Sequence, residues 1–382
     1  MRFKNFDIPA FLQEYWQKKP LLIRSPWDAW SNPLEPNELA GLADEDHVES
    51  RLVTQRNQRW ELEQGPFPEG RFGKLERIPW TLLVQGVDHH VPSVAALLEP
   101  FRFVPNWRVD DVMVSYAVDG GGVGPHFDHY DVFLLQGLGR RRWELGELCD
   151  ETTELLPHDD LRLLADFRAV EEWILEPGDM LYVPPRVAHR GVAIGDDCMT
   201  YSIGFRAPSR AELLTNWAES VSTDLSDGDR YADPDLAEQR NPGEISSSAI
   251  RSLQAMISET MLDRSAFERW FGQYSTMPKD PDIDWRPEET ISSEVVLQCL
   301  AESIPLVRNP ASRFSFIREQ TTSLLLFIDG RCYPCRDEVT AFAEQICASV
   351  QFTFDAQSSL SIIELIVELV NQGSLAFLDQ EE

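Results

Sequence analysis

Three features are scarce in this sequence: cysteine, basic charge and long apolar runs. Only six cysteines occur in 382 residues, so we expect free thiols in a reducing, cytoplasmic setting rather than a disulfide scaffold. The N-terminal sequence MRFKNFDIPAF has no apolar segment of the kind that directs secretion. The longest apolar runs, 324–328 and 362–370, are too short or too charged to cross a bilayer. The sequence therefore predicts a cytoplasmic protein that does not use a membrane.

Basic residues are outnumbered almost two to one. The chain has 34 Lys and Arg against 64 Asp and Glu, which gives a formal net charge of −30. Such a field repels phosphates, which disfavours direct nucleic-acid binding, and it attracts basic surfaces. One interpretation is a basic protein partner, and the other is that the charge only keeps the protein soluble.

The remaining composition is that of a packed protein with two or three domains. The apolar fraction of 43%, with 11 Trp and 20 Phe, provides a sizeable core. The opening FLQEYWQKKPLLI predicts a helix that runs into a strand. Between 102 and 206, short apolar runs broken by Gly and Pro predict the strands of a β-sandwich or barrel. Helical spacing follows in 209–222 and 247–274, then a linker-like 277–289 and a mixed helix and strand module.

Histidine and carboxylate pairs indicate where a metal could bind. Two residues apart on a strand, such side chains point to the same side and can ligate one ion. A third ligand from a distant strand completes the two-histidine, one-carboxylate triad, which leaves open positions for a chelating cosubstrate and oxygen. Four pairs occur in the sequence: His47 with Glu49, His126 with Asp128, His129 with Asp131, and His158 with Asp160. The first lies in the solvated-looking ADEDHVES, and the last in PHDDLRLL, which is typical of a capped helix start.

The context of each pair favours His126 and Asp128. The run GGGVG leads directly into His126, and glycines let a backbone come close to a bound group. Periodicity alone does not separate this pair from His129 and Asp131. In LEPGDMLYVPPRVAHRG, a turn, a short strand and a rigid proline corner precede His189, on a strand far from the first pair. The sequence therefore predicts a metal site at His126, Asp128 and His189.

The segment RRRWELG indicates a cosubstrate. The distal carboxylate of 2-oxoglutarate needs a buried cation, and the guanidinium fork matches a carboxylate with two hydrogen bonds. If this segment is a strand, Arg141 shares the inward face with Trp143 and Leu145. A buried arginine without an anion is costly, so this placement favours an anionic ligand over an internal carboxylate. Ser115, in VMVSYAV, is a candidate hydroxyl donor to the same carboxylate.

Long strings of this sequence resemble the JmjC oxygenases, and within them the bacterial ribosomal oxygenases that hydroxylate arginine. The strings are WQKKPLLIR, PNWRVDDVMVSYAVDGGGVGPHFDHYDVFLLQGLGRRRWELG, LEPGDMLYVPPRVAHRGVA and YSIGFRAP. The resemblance implies iron(II) ligands at His126, Asp128 and His189. It also implies that Arg141 is the cation for 2-oxoglutarate, where many JmjC relatives have Lys.

The resemblance further implies a fold, a substrate and partners. The fold is α+β: a double-stranded β-helix, the jelly roll of JmjC and cupin proteins, over 1–208, a helical dimerisation domain over 209–285 and a winged-helix-like module over 286–382. The implied reaction uses Fe(II), 2-oxoglutarate and O2 to hydroxylate the β-carbon of an arginine in a basic large-subunit ribosomal protein. A homodimer is implied, without direct nucleic-acid or membrane contact. Asp119 would pair with the substrate guanidinium, although Asp-Gly is also a common turn former.

Two alternatives stay open at this point. One keeps the oxygenase and changes the target to a histidine or lysine of another protein, because the walls of the substrate pocket are not visible in the sequence. The other is a cupin-like binding module that holds a metal or a protein without oxidation and has no need of Arg141. Cys332-x-x-Cys335 is half of a zinc motif without its second half, so we interpret it as part of a hairpin.

Overall fold

The computed structural model describes residues 2–56, 59–75, 78–355 and 359–378. The strands are β1 (Leu21–Ile23), β2 (Ser50–Arg56), β3 (Arg59–Gln64), β4 (Trp80–Val84), β5 (Val109–Ala117), β6 (Asp131–Leu148), β7 (Glu171–Leu175), β8 (Met180–Val183), β9 (Val187–Phe205), β10 (Leu306–Arg308), β11 (Phe314–Gln320), β12 (Ser323–Ile328), β13 (Arg331–Arg336), β14 (Gln351–Phe352) and β15 (Leu375–Phe377). The helices are α1 (Ile8–Glu14), α2 (Pro36–Leu42), α3 (Val87–His90), α4 (Pro92–Ala95), α5 (Arg210–Asp224), α6 (Ser247–Met261), α7 (Arg264–Ser275), α8 (Ser293–Ala301), α9 (Glu338–Ala348) and α10 (Leu360–Asn371).

Strands β1 to β9 form one antiparallel sheet in the order β1-β8-β6-β9-β5-β4-β2-β3, with β7 added beside β6. The long strands β6 and β9 pair with each other, and their register shifts near residues 137, 139 and 146. Such shifts bend a strand and increase its twist, which lets one pair of strands contribute to both halves of a jelly roll. The strand-rich region predicted between 102 and 206 is therefore confirmed.

The two faces of this sheet carry different side chains. On one face, Phe133 and Leu135 of β6 pack with Phe11 of α1 in the main apolar core. Each fully buried aromatic or aliphatic side chain of this kind contributes about 1.5–3 kcal/mol to folding. The alternate residues of β6 point the other way, and there the buried Gln136 pairs in register with Thr200 of β9. This inner face is mixed, because Gln136 and Thr200 are polar whereas Val132 and Leu134 belong to a second apolar cluster.

Helices α5, α6 and α7 follow the sheet, as their spacing predicts. Ser209 and Glu212 close a capping box at the start of α5, and Asp263 caps α7. Helix α6 has no buried residue, and its apolar side chains Ile250 and Ile257 are 51% and 66% exposed. An apolar row is therefore left uncovered on this helix.

The C-terminal strands form two small sheets, β14-β10-β15 and β11-β12-β13. Helices α8, α9 and α10 enclose a separate core with them. Cys335 on β13 lies in that core while Cys332, three residues earlier, contacts Arg269. The two thiols are free, and an odd spacing on a strand places them on opposite faces.

Residues 277–289 contain no helix or strand, yet they are not a free linker. Lys279 forms an ion pair with the buried Asp111 of β5. The backbone of Trp285 lies so close to Gly373 that a Cβ there would meet its carbonyl oxygen at 2.2 Å. The linker predicted from composition is therefore a packed strap between the sheet and the C-terminal module.

Within the residues that the structure describes, no helix has the length and apolar character needed to span a bilayer.

Candidate metal centre

His126 and His189 lie side by side across a two-residue antiparallel bridge. The N–H of His126 donates to the carbonyl of His189 at 3.0 Å, and the reverse bond is 2.8 Å long. The bridge joins the segment before β6 to the start of β9, and it holds the two ring centroids 4.3 Å apart. The backbone itself therefore brings two imidazoles from distant parts of the chain together.

Each imidazole is held in the tautomer that suits a metal ligand. Nδ1 of His126 lies 3.0 Å from the carbonyl oxygen of Gly124, and Nδ1 of His189 lies 3.0 Å from that of Val187. Because a carbonyl oxygen only accepts, both Nδ1 atoms carry the proton and both Nε2 atoms keep a lone pair. Burial, reinforced by the neighbouring His126, lowers the pKa of His189 to about 4. His189 is thus uncharged at pH 7, and its Nε2 lone pair is available to a metal ion.

Asp128 completes the group. Its Oδ2 lies 3.5 Å from Nε2 of His189, and one ligand atom from each of the three residues falls within 4.8 Å of the others. The backbone carbonyl of Asp128 accepts from the N–H of Arg186 at 2.6 Å. Arg186 has a φ of 68° at the end of the proline corner, so the predicted corner is hydrogen-bonded to the backbone of Asp128. Two nitrogens and one oxygen on one side of an ion leave its other positions open.

The structure gives His129 and Asp131, the competing pair, no common metal site. Asp131 is fully buried and accepts hydrogen bonds from Tyr182 at 2.6 Å, Gln17 at 2.9 Å and Arg108 at 3.1 Å. These three donors occupy both carboxylate oxygens. His129 is exposed, so the two do not form a site.

The outer pairs are also not metal sites. His47 lies exposed at the surface. Nδ1 of His158 accepts from the N–H groups of Asp160 and Leu161 at 3.1 and 3.0 Å. The expected helix in PHDDLRLL is wrong, because residues 157–164 are loop and the imidazole, rather than a helix, satisfies these N–H groups.

Arg141 is buried on the inner face, with 5% of its surface exposed. Its Nε donates to Sγ of Cys198 at 3.4 Å. Its Nη2 is buried with no hydrogen-bond partner, and among the described residues no carboxylate forms an ion pair with it. A buried guanidinium in this state lacks an anion, so the site fits the distal carboxylate of 2-oxoglutarate.

The wall beside Arg141 combines the predicted Ser115 with three residues that the sequence did not single out: Gln136, Cys198 and Thr200. Gln136 Nε2 lies 3.5 Å from Sγ of Cys198, and Gln136 Oε1 accepts from Oγ1 of Thr200 at 3.2 Å. Ser115 is buried and pairs with Thr200 in register, and its Oγ is 3.5 Å from the Thr200 carbonyl. That contact is at the limit of a hydrogen bond, so the hydroxyl is available to a ligand. Alternation relates Cys198 to Thr200 within β9, but the pairing of β9 with β5 and β6 is what brings these side chains together.

The glycine run before His126 allows two parts of the backbone to come close together. A Cβ on Gly122 would lie 2.2 Å from the carbonyl oxygen of Gly191. A Cβ on Gly191 would in turn lie 2.8 Å from the ring of Trp143. The structure thus shows a close approach to strand β9, and this contact seats the His126 segment against His189.

Asp119 lies on the surface at the start of the glycine run. Its Oδ1 accepts from the N–H of Gly195 at 2.7 Å, and Gly120 after it has a φ of 74°. The turn role of this Asp-Gly pair is thus visible in the structure. The contact ties the end of β5 to the bulge in β9.

Tyr130 extends the site beyond the triad. Burial raises the pKa of its phenol, and the neighbouring carboxylates of Asp128, Asp111 and Asp110 add to this shift.

Comparison with known proteins identifies two domain families in the chain. Residues 96–213 match the JmjC domain, and residues 256–376 match the ROXA-like winged helix. The chain is 36% identical to the ribosomal protein uL16 3-hydroxylase of Escherichia coli, with 97% of each protein covered. It is 38% identical to a probable ribosomal oxygenase of Haemophilus influenzae, over 69% of this chain and 66% of that one.

A solved structure agrees with these relatives. It is YcfD, a ribosomal oxygenase from Escherichia coli, in complex with cobalt and 2-oxoglutarate. The two structures superpose with a TM-score of 0.87 at 33% identity, over 99% of each chain. The predicted succession of a jelly roll and a C-terminal winged helix is confirmed.

Proposed function

This chain belongs to the JmjC family of ribosomal oxygenases, and from that premise we propose that it hydroxylates an arginine of a large-subunit ribosomal protein at the β-carbon. It is a 2-oxoglutarate-dependent dioxygenase. His126, Asp128 and His189 are the proposed ligands of Fe(II). The observation that carries the proposal is the buried guanidinium of Arg141, whose Nη2 has no hydrogen-bond partner and which forms no ion pair with a carboxylate among the described residues.

Different residues of the chain have different roles in this reaction. The oxidation is the chemistry of bound iron, 2-oxoglutarate and oxygen, which together place one oxygen on the substrate and release succinate and carbon dioxide. His126 and His189 present Nε2 to the metal because their Nδ1 protons are held by backbone carbonyls. Arg141 binds the distal carboxylate, with Ser115 as a second donor. Positioning and the exclusion of water are the contributions of the protein.

A basic ribosomal protein is the substrate that the charge of the chain favours. The net charge of −30 attracts basic proteins and repels ribosomal RNA, so direct nucleic-acid binding is not part of the proposal. The Escherichia coli relative is named for acting on ribosomal protein uL16. Asp119 is proposed to pair with the substrate guanidinium through the carboxylate capacity left beside its Gly195 contact. The reaction is placed in the cytoplasm, where ribosomal proteins are made.

We further propose that the chain forms a homodimer through the helical domain. The exposed apolar row on α6, which includes Ile250, Leu253 and Ile257, supports this because such a row is stabilised by a partner of the same kind. The proposed domain boundaries are 1–208 for the catalytic domain, 209–285 for the helical domain and 286–382 for the winged helix.

Intact mass spectrometry of ribosomal proteins tests the proposed reaction. The protein is incubated with Fe(II), 2-oxoglutarate, oxygen and a mixture of large-subunit proteins. One basic protein is expected to gain one oxygen atom, and fragmentation is expected to place it on an arginine β-carbon. Oxygen on a histidine, or loss of methyl groups from lysine, would change the substrate class. No mass change together with no succinate would favour a cupin-like binding module.

A further inference from the structure

A small cavity lies between the segment that leads into β5 and the C-terminal module. Its wall combines Arg102 and Asn106 from that segment with Arg308, Arg313 and Phe314 from the module. The volume of the cavity is about 100 Å³. Because a water occupies about 30 Å³ in the liquid, the cavity has room for a few waters or for one small polyatomic ion.

Three guanidiniums line this cavity, and two of them have carboxylate partners. Nε of Arg102 donates to Oε1 of Glu99 at 2.7 Å, and Nη2 of Arg313 donates to Oδ1 of Asp110 at 3.2 Å. Arg308 forms no ion pair with a carboxylate in the parts of the chain that the structure describes, and its Nε is buried with no hydrogen-bond partner. One guanidinium of the three is therefore left without a counterion.

The surroundings of Arg308 disfavour its charge. Its Cζ lies 4.2 Å from the centre of the Phe314 ring. Burial, reinforced by the nearby guanidinium of Arg102, lowers the pKa of Arg308 to about 10. The side chain is thus still charged at pH 7, but in a place where water does not solvate the charge fully. An uncompensated guanidinium of this kind favours an anionic ligand.

The end of helix α9 does not supply the missing acceptor. The carbonyl of Cys347 accepts from Nδ2 of Asn106 at 2.9 Å, while Nη1 of Arg102 and Nη1 of Arg308 each lie 3.5 Å from it. A carbonyl oxygen has two lone pairs, so three donors compete for two positions. Both guanidinium contacts are at the limit of a hydrogen bond. Donors therefore exceed acceptors at this end of the helix.

The other carboxylates nearby do not cancel the charge of Arg308. Among the described lining residues, Asp88 has the only carboxylate besides that of Asp110. Burial raises the pKa of Asp88 to about 7, and its Oδ1 accepts from the N–H of Val112 at 2.8 Å. Glu99 and Asp329 attract Arg308 only from beyond ion-pair distance, and their effect is smaller than that of burial.

We propose that this cavity binds one small oxyanion of the phosphate class, with Arg308 as its main partner and Arg102 as a second donor. Arg102 and Arg308 lie on opposite sides of the contact between the jelly roll and the C-terminal module, so the anion joins the two. The net charge of −30 repels polyanions, which favours a free ion over a phosphate of nucleic acid. The inference does not depend on the proposed reaction.

Titration calorimetry with inorganic phosphate tests the site on the full chain at constant ionic strength. The wild type is expected to bind one phosphate. Arg308→Met keeps an unbranched side chain against Phe314 and removes the charge, so the Kd for phosphate is expected to rise at least about tenfold. Arg336→Met is the matched control, because it removes the same charge from an exposed position on β13, and its Kd should stay within twofold of the wild type.

A second variant separates this site from the proposed cosubstrate site. Phosphate could also bind at Arg141, so the titration is repeated with Arg141→Met. An unchanged Kd for phosphate in Arg141→Met, with an unchanged Kd for 2-oxoglutarate in Arg308→Met, would support two independent anion sites. Loss of phosphate binding in Arg141→Met but not in Arg308→Met would overturn the inference.

Urea unfolding distinguishes an anion site from a simple cap of helix α9. Phosphate is expected to raise the unfolding midpoint of the wild type and not that of Arg308→Met. Without phosphate, Arg308→Met should be at least as stable as the wild type, because an unpaired charge is removed. A large loss of stability in that variant, together with a wild type that does not respond to phosphate, would make α9 the partner of Arg308 and overturn the inference. Tighter binding of ADP than of phosphate would exclude a small free ion as the occupant.

Discussion

Nε of Arg141 donates to Sγ of Cys198 at 3.4 Å, and Cys198 is fully buried. Sulfur is a weak acceptor, but it is the protein atom that orients the guanidinium towards its free side. We expect Cys198→Val to raise the Kd for 2-oxoglutarate about fivefold, in line with the loss of about 1 kcal/mol from one weak hydrogen bond. Isothermal titration with the metal-loaded protein measures it. Cys198→Ser should restore binding close to wild type, and an unchanged Kd in the valine variant would exclude the orienting role.

Replacing Arg141 should abolish 2-oxoglutarate binding while increasing the stability of the ligand-free protein. In Arg141→Met, 2-oxoglutarate binding is expected to be lost. Without ligand, the free energy of unfolding is expected to rise by about 1–4 kcal/mol, because an unpaired buried charge is removed. Arg108→Met is the comparison, since Arg108 pairs with the buried Asp131 and its loss leaves that carboxylate without a cation. Urea unfolding of both variants is the measurement, and a large loss of stability in Arg141→Met would mean that the protein itself supplies the anion.

Metal binding should depend on one of two neighbouring histidines. His126→Ala is expected to lose Fe(II) binding and turnover, because it removes one of the three proposed metal ligands. His129→Ala is the matched control, since the exposed His129 belongs to the pair that the structure separates, and it should bind metal as the wild type does. Mn(II) binding followed by electron paramagnetic resonance measures this without turnover. Equal metal loss in both variants would place the ion elsewhere.

A buried carboxylic acid should make stability fall with rising pH. Burial, reinforced by Asp111, raises the pKa of Asp88 from 3.8 to about 7. The folded state therefore binds more protons than the unfolded state between these values, so this group's contribution to stability declines as pH rises from about 4 to 7. Asp88→Asn keeps the acceptor for the N–H of Val112 and is expected to stabilise the protein at pH 8 by as much as about 4 kcal/mol.

The measurement for Asp88 is urea unfolding at two pH values. The gain from Asp88→Asn should be clearly smaller at pH 5.5 than at pH 8, because the wild-type carboxyl is then mostly protonated in the folded state. An equal gain at both values would show that packing, and not ionisation, is responsible.

Local patterns predicted those features that depend on neighbours in the sequence. Helical spacing identified α5, α6 and α7, and period-two alternation within RRRWELG placed Arg141 inside. Counting alternate residues from Asp128 does not correctly predict that Arg141 faces inward. Gln136 faces inward at an even position and Arg141 at an odd one, because the register shifts near residues 137 and 139 change the parity. Bulges of this kind depend on the partner strand, so the sequence of β6 alone does not show them.

Features made by distant residues escaped prediction for the same reason. Cys198 has no local pattern, and its role depends on the pairing of β6 with β9. The glycine run was correctly expected to allow a close approach, but the neighbour it approaches, Gly191, could not be read from local sequence. The strap 277–289 reads as a linker because its contacts, such as Lys279 with Asp111, are all with residues far away in the chain.

The reciprocal hydrogen bonds between His126 and His189 have a consequence for biosynthesis. While the chain is being made, residues 126 and 128 leave the ribosome well before residue 189, and no complete iron site exists until β9 has paired with β6. Long-range pairing of this kind forms slowly. The growing chain therefore cannot bind iron at this site before β9 has formed. In a refolding experiment, the rate of iron uptake should equal the rate at which β9 pairs with β6.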